Sequence, residues 1–195
     1  QALADAMIRV PGGDYLLGDE DSHHRGDAPP RRVRLRPFMI DAHEVTNRQF
    51  AKFDPLHDSR FESKNGYQFG VTGFALNRPE QPVVRVSWPQ AQAFCRALTV
   101  RTGRRVELPS EAEWEWACRA GSSEPFAYGG MNSDFSQFAN LADIALTSFA
   151  QRDSPKWHPR DERFDDRAMV TSQVGRYQAN AWGLYDMHGN VWEWC

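Results

Sequence analysis

NAWGLYDMHGNVWEWC, residues 180–195, gathers more informative side chains than any other segment of this chain. Trp182, Leu184, Tyr185, Met187, Val191, Trp192 and Trp194 supply apolar and aromatic bulk. Gly183, Gly189 and Asn190 supply turn chemistry, because Gly and Asn adopt positive φ at low cost. Asp186 and Glu193 bracket the turn with carboxylates. One reading is a buried strand, a tight turn and a second aromatic strand. The other is an oxygen-lined ion site. Calcium takes carboxylates plus backbone carbonyls from a sharp Gly-containing turn. Asp186, the carbonyls near Gly189 and Val191, and Glu193 match that description. Periodicity does not separate the two readings.

Upstream of this stretch the local signals are clearest at three helix starts. Thr46 with Gln49 forms a capping box, which predicts a short helix over residues 47–53. Ser87 with Gln90 forms a second, with Pro89 in the first turn, where its missing N–H is harmless. Ala91, Phe94, Cys95 and Leu98 then fall on one helical face, and Gly103 is the natural stop. Ser110 with Glu113 forms a third. Its helix runs to Ala120, with Glu111 and Glu113 at the positive end, Arg119 near the negative end and Gly121 as stop.

The strand signals lie near the N-terminus. Residues 7–17 read as a hairpin turning at Pro11-Gly12-Gly13. Residues 18–30 are a polar loop. Val33, Leu35, Phe38 and Ile40 give an extended apolar segment ending near Asp41. The alternating Arg31, Arg32, Arg34 and Arg36 read as the solvated face of a strand.

The remainder lacks a clean period. Residues 54–82 are a packed irregular excursion with Phe69, Val71 and Phe74 as anchors; loops this long in a compact domain are often functional. Tyr128-Gly129-Gly130 is a turn, and 140–149 is mildly apolar. Residues 151–169 are highly charged and read as a long exposed loop. The sum is α+β: a few short helices, short strands and much irregular loop.

Composition bounds the function. The 195 residues are 41% hydrophobic, with seven Trp and twelve Phe, so one domain over 1–195 with an aromatic core is expected. A formal net charge of −3 gives no electrostatic reason to expect nucleic acid or an anionic membrane as partner. No run approaches the roughly eighteen apolar residues of a membrane span. No signal peptide is visible; QALADAM at the start suits a mature N-terminus after export and equally a trimmed one. Cys95, Cys118 and Cys195 form no CxxC or zinc pattern, and Cys95 and Cys118 read as buried free thiols. His23, His24, His43, His57, His158 and His188 are scattered. Ser110 has no His and Asp arrangement behind it, and phosphate-cradling glycine motifs are absent.

The stretch GLYDMHGNVWEW resembles the signature of the formylglycine-generating enzyme family, also called the sulfatase-modifying-factor family. VPGGDYLLGDED, IDAHEVTNRQFAKF, PVVRVSWPQAQAFC and ELPSEAEWEWACRAG resemble that family's other blocks in the same order, so the resemblance covers nearly all of the chain. It implies a fold similar to the C-type lectin architecture. It implies oxidation of a sulfatase cysteine to formylglycine by a cysteine pair holding Cu(I), a metal suited to soft thiolates. In the family that pair follows the GNVWEW block. The chain reaches only Cys195, so no catalytic residue is assigned here, and Cys195 sits too early to serve. Cys95 and Cys118 match positions that form structural disulfides with that later segment in secreted members.

The resemblance also implies two calcium sites. One uses Asp186, the carbonyls of Gly189 and Val191, and Glu193. The other uses Asn140, the Leu141 carbonyl, Asp166 and the Ala168 carbonyl, with a possible slip of one residue onto Asp165. Three functions are expected in order. First is a periplasmic or secreted, calcium-stabilised, non-catalytic protein that binds or regulates a protein partner, as in type VI secretion kinase signalling. Second is the Cu(I) oxidase. Third is a lectin-like small-ligand module.

Overall fold

A computed structural model describes residues 7–18, 30–60, 74–145 and 160–195. Its strands β1 (Met7–Val10), β2 (Gly13–Leu17), β3 (Arg31–Leu35) and β4 (Phe38–Asp41) precede helices α1 (Asn47–Phe50), α2 (Trp88–Thr102) and α3 (Glu111–Arg119).

The hairpin expected over residues 7–17 does not form. β1 pairs antiparallel with β4 and β2 with β3, and not with each other. The two pairs share one register, so they make a single interrupted ribbon whose connection is 18–30. Pro11 falls opposite Pro37 in that register. Neither can donate an N–H to the ladder, and the ribbon breaks there. The inward set shifts across the break. Ile8, Val10, Phe38 and Ile40 turn inward on one side, and Tyr15, Leu17, Val33 and Leu35 on the other. Gly12 makes the kink possible: a Cβ there would sit 2.6 Å from the Leu35 carbonyl oxygen. Arg31, Arg32, Arg34 and Arg36 face solvent, as the alternation implies.

All three capping boxes form. α1 stops at Phe50, earlier than expected, and continues as turns through Phe53. α2 ends at Gly103 with φ 67°. α2 buries only Phe94, which meets Phe50 and Phe53 in an aromatic cluster. Cys95 is half-buried rather than buried.

α3 packs on the ribbon. The Trp116 ring lies 4.9 Å from Tyr15, and its Nε1 donates to the Pro11 carbonyl at 2.8 Å. Val10, Ala117, Cys118, Leu184 and Met187 form the main core, flanked by Ile8, Phe38, Ile40, Trp114, Trp116 and Trp182. Burial of such side chains is worth about 1.5–3 kcal/mol each as an upper bound. The core thus joins the ribbon, α3 and the 180–195 stretch.

The long excursions are tied down at their ends. Asn47 Nδ2 contacts the carbonyls of Leu76, Arg78, Gln81 and Pro82, and its Oδ1 accepts from Ser59. Phe74, expected as an anchor, is 47% exposed, whereas Leu76 is buried. Phe69 and Val71 lie outside the described residues. The 160–169 part of the expected exposed loop instead folds inward, with Asp161 bridging to Asp143 and Asp166 buried. Among the described residues no helix is long and apolar enough to cross a membrane.

Candidate metal centre

The 180–195 stretch contains no strand. Gly183, Asp186, Gly189 and Asn190 all have positive φ, at 85°, 56°, 112° and 59°. Four left-handed residues so close together are incompatible with an extended ladder. The strand–turn–strand reading therefore gives way to a coil that folds its polar groups inward. Asn180 begins it: its Nδ2 donates to the Ala117 carbonyl at 2.9 Å at the end of α3, and its Oδ1 accepts from Trp182 and Leu184.

The coil brings Asp186 into the interior, 3% exposed. Its Oδ2 accepts from the Gly175 N–H at 2.7 Å, while its buried Oδ1 has no hydrogen-bond partner. Glu44, which the sequence reading missed, is buried beside it. Glu44 Oε2 accepts from Asn190 Nδ2 at 2.7 Å, and Oε1 is buried without a partner. Burial, then the charges of Asp186 and Glu193, push Glu44 up to about 9. Burial also raises Asp186. Glu193 is exposed as a residue, and its carboxylate accepts from Trp114 Nε1 at 3.1 Å. Desolvation, and then the charge of Asp186, raise Glu193 against the lowering effect of the Trp114 hydrogen bond.

Glu44 thus shares its surroundings with two like charges, Asp186 and Glu193, while His43 is the charge that lowers Asp186. Isolated buried anions are strongly unfavourable, so such a cluster takes up either protons or a cation. The oxygen-only donor set suits a hard cation and not a soft one. Among the described residues no three acidic, His or Cys side chains stand close enough together to hold a metal ion. Glu44 and Glu193 are instead turned towards Asn190 and Trp114. Asp186 and Glu193 of the first expected set thus both act electrostatically on Glu44. Gly189 and Val191 lie on the same turn, and the Val191 N–H points at Glu44.

The second expected set is adjacent. A Cβ on Gly189 would collide with the Asn140 carbonyl oxygen, and Asn190 N–H donates to that same oxygen at 2.9 Å. Asn190 Oδ1 accepts from Asn140 Nδ2 and from Ser172 N–H. Asp166 is buried while Asp165 is exposed, so the alternative register on Asp165 is not the one that turns inward. The Asp166 oxygens accept from the Leu141 and Ala168 N–H groups, each at 2.8 Å. Burial pushes Asp166 up to about 6. Buried Asp143, also missed, accepts from the Asp166 N–H. This set is already satisfied by N–H donors, and only second lone pairs remain for a cation. The first set fits a cation better.

The thiols are quiet. Cys118 donates to the Met187 carbonyl at 3.3 Å, and burial pushes it up to about 12. Its neighbour His188 is pushed down to about 4 by burial, and Nε2 accepts from the Ala127 N–H. Burial also raises Cys95 and Cys195. All three cysteines are free. A nucleophilic or metal-binding cysteine needs an accessible thiolate, which none of these environments favours.

The sulfatase-modifying factor enzyme 1-like domain family matches residues 1–195. This chain belongs to that family. It is 30% identical to the formylglycine-generating enzyme of Thermomonospora curvata over 234 residues, covering 100% of this chain and 72% of the relative. It is 28% identical to the inactive C-alpha-formylglycine-generating enzyme 2 of Mus musculus, covering 97% of this chain and 68% of that protein. Across the formylglycine-generating enzymes it matches, the chain spans 56 to 72% of their length. The structure of PvdO from Pseudomonas aeruginosa superposes with a TM-score of 0.71 at 26% identity, covering 96% of this chain and 69% of that one. The α+β fold of small sheets, short helices and long loops is that of the sulfatase-modifying-factor family.

Proposed function

We propose that this chain is a calcium-stabilised, non-catalytic member of the sulfatase-modifying-factor family that binds a protein partner outside the cytoplasm. The calcium reading is carried by two buried carboxylate oxygens, Glu44 Oε1 and Asp186 Oδ1, that have no hydrogen-bond partner among the described residues, with Asp186 and Glu193 both repelling Glu44. Asp186, Glu44 and Glu193, with the Gly189 and Val191 carbonyls, would hold the ion. Asn140, Leu141, Asp166 and Ala168 would hold a second, weaker one. Bound calcium would replace protons on the cluster and lock the coil to the α1 approach and α3. Regulation of a kinase pathway, as in type VI secretion, is one setting for such a binder.

None of the thiols of residues 1–195 has surroundings that fit a Cu(I) pair, so no step is assigned to copper. The non-catalytic part is supported by two relatives, of Mus musculus and Bos taurus, that bear the name of an inactive enzyme. The oxidase reading is supported by 29–30% identity to five relatives named formylglycine-generating enzyme. Two measurements decide. Calorimetric titration of the chelated chain with calcium should show binding, and incubation with a sulfatase-type cysteine peptide, Cu(I) and oxygen should yield no aldehyde. Absence of calcium binding, or aldehyde above a copper-only control, overturns the reading.

A further inference from the structure

A second feature lies away from the carboxylate cluster. The C-terminal half of α2 and the β1·β4 end of the ribbon enclose a groove of about 270 Å³. Met7, Met39, Leu98 and Val106 give it an apolar floor, and Arg104 and Arg105 stand at its side. Its shape is set by hydrogen bonds. Thr99 Oγ1 accepts from the Val106 N–H at 2.9 Å and so folds the segment after α2 back onto the helix. Thr102 Oγ1 accepts from the Arg104 N–H at 3.2 Å, which fixes the base of that wall. Met39 is 53% exposed, so the floor is open.

Among the described residues the groove lining holds two arginines and no carboxylate, in a chain of net charge −3. Arg105 forms a two-point contact with Glu107, at 3.1 and 2.8 Å. Arg104 makes no ion pair among the described residues and is exposed. Methionine floors are adaptable and accept varied apolar anchors. An uncompensated guanidinium beside them selects a carboxylate partner.

We infer that this groove docks a peptide segment of a partner protein in which acidic residues flank one or two large apolar side chains. The volume suits a side-chain anchor, towards the small end of ligand pockets. The Arg104 charge steers and orients the acidic flank. The site shares no residue with the calcium cluster, and the two proposals stand or fall separately.

Fluorescence anisotropy with the whole chain tests it. The probe is a fluorescein-labelled peptide with two Glu on each side of a Leu-Phe pair. Comparison peptides replace Leu-Phe by Ser-Ser, or every Glu by Lys. The Glu-Leu-Phe peptide should bind at least about tenfold more tightly than either. Arg104→Glu should weaken it by about tenfold and strengthen the Lys version, while Met39→Asp should weaken both. Melting curves confirm that these surface variants fold, and a calcium chelator should leave the affinity unchanged in the folded chain. Equal affinity for all three peptides overturns the inference. So does indifference to Arg104→Glu, displacement of the probe by dodecanoate at lower concentration than by unlabelled peptide, or a homodimer that Met39→Asp dissociates.

Discussion

Asn190 Nδ2 donates to Glu44 Oε2 at 2.7 Å across 146 residues of chain. This bond joins the approach to α1 to the C-terminal turn. It also fixes one oxygen of Glu44 and leaves the other buried without a partner. The geometry makes Glu44 the residue on which calcium and proton effects should both register.

At a calcium concentration about 100 times the dissociation constant, binding should add about 2.7 kcal/mol of stability. For a chain of this size that is a rise in melting temperature of roughly 5–10 °C. Glu44→Gln should keep the bond to Asn190 and remove the cost of protonating a buried carboxylate on folding, so the chelated variant should melt higher than the chelated parent. Its calcium-induced rise should shrink to less than about half. Differential scanning calorimetry with and without chelator reads both numbers. Loss of stability in the chelated variant would show that Glu44 is simply a structural acceptor.

The same residue sets a pH dependence. A carboxylate whose folded pKa is raised favours folding only while protonated. The Glu44 contribution is therefore fully present below its ordinary 4.5 and is lost as pH rises through about 9. In chelator, the melting-temperature advantage of Glu44→Gln over the parent should grow from pH 5 to pH 9. Calcium affinity should rise over the same window, because binding displaces protons. A variant-minus-parent difference that is flat with pH would sink this assignment.

Gly189 should be intolerant of any side chain. Its φ is 112°, and a Cβ would strike the Asn140 carbonyl oxygen. The backbone term alone is roughly 1–3 kcal/mol, and the collision adds to it. Gly189→Ala should lower the melting temperature by more than about 4 °C, and Gly103→Ala, at φ 67° with nothing near its Cβ, by less. Urea unfolding of both variants checks the order.

What was legible in the sequence divides by the range of the interactions. The three capping boxes and the Gly103 stop are local, and each was visible in four or five residues. The ribbon was misread because its break depends on Pro11 meeting Pro37, a partnership no local window contains. Asp186 and Glu193 were visible because they share a turn. Glu44 was not, since HEVTN reads equally well as the approach to α1, and only tertiary folding brings it to Asp186. Asp143 was hidden for the same reason. The inward turn of Asp166 over Asp165 rests on N–H bonds from Leu141 and Ala168, and the first of these spans 25 residues.

The thiols should differ sharply in reactivity. Cys118 is buried and pushed up to about 12, so its thiolate at pH 8 is roughly one part in ten thousand. Cys195 is exposed and Cys95 half-buried. Iodoacetamide should label Cys195 first, Cys95 slowly and Cys118 only after unfolding. A non-reduced digest should contain no Cys95–Cys118 peptide. Early labelling of Cys118 would mean that the α3 core opens more readily than its packing implies.

The last expectation concerns activity. Oxidising a cysteine with Cu(I) and oxygen requires two thiolates held close enough to bind a soft ion together. Here Cys118 is bound to the Met187 carbonyl beside a neutral His188. Cys95 lies on α2 near Arg96 and Glu107, and Cys195 follows Trp194. Each thiol is raised by burial, and none has a neighbouring cation strong enough to reverse that. The purified chain, supplied with Cu(I), oxygen and a sulfatase-type cysteine peptide, should give no mass loss of aldehyde formation beyond a copper-only control. Cu(I) titration against a competing chelator should likewise show no tight site. Turnover that disappears in Cys195→Ser would place the chemistry at the exposed thiol and overturn the non-catalytic reading.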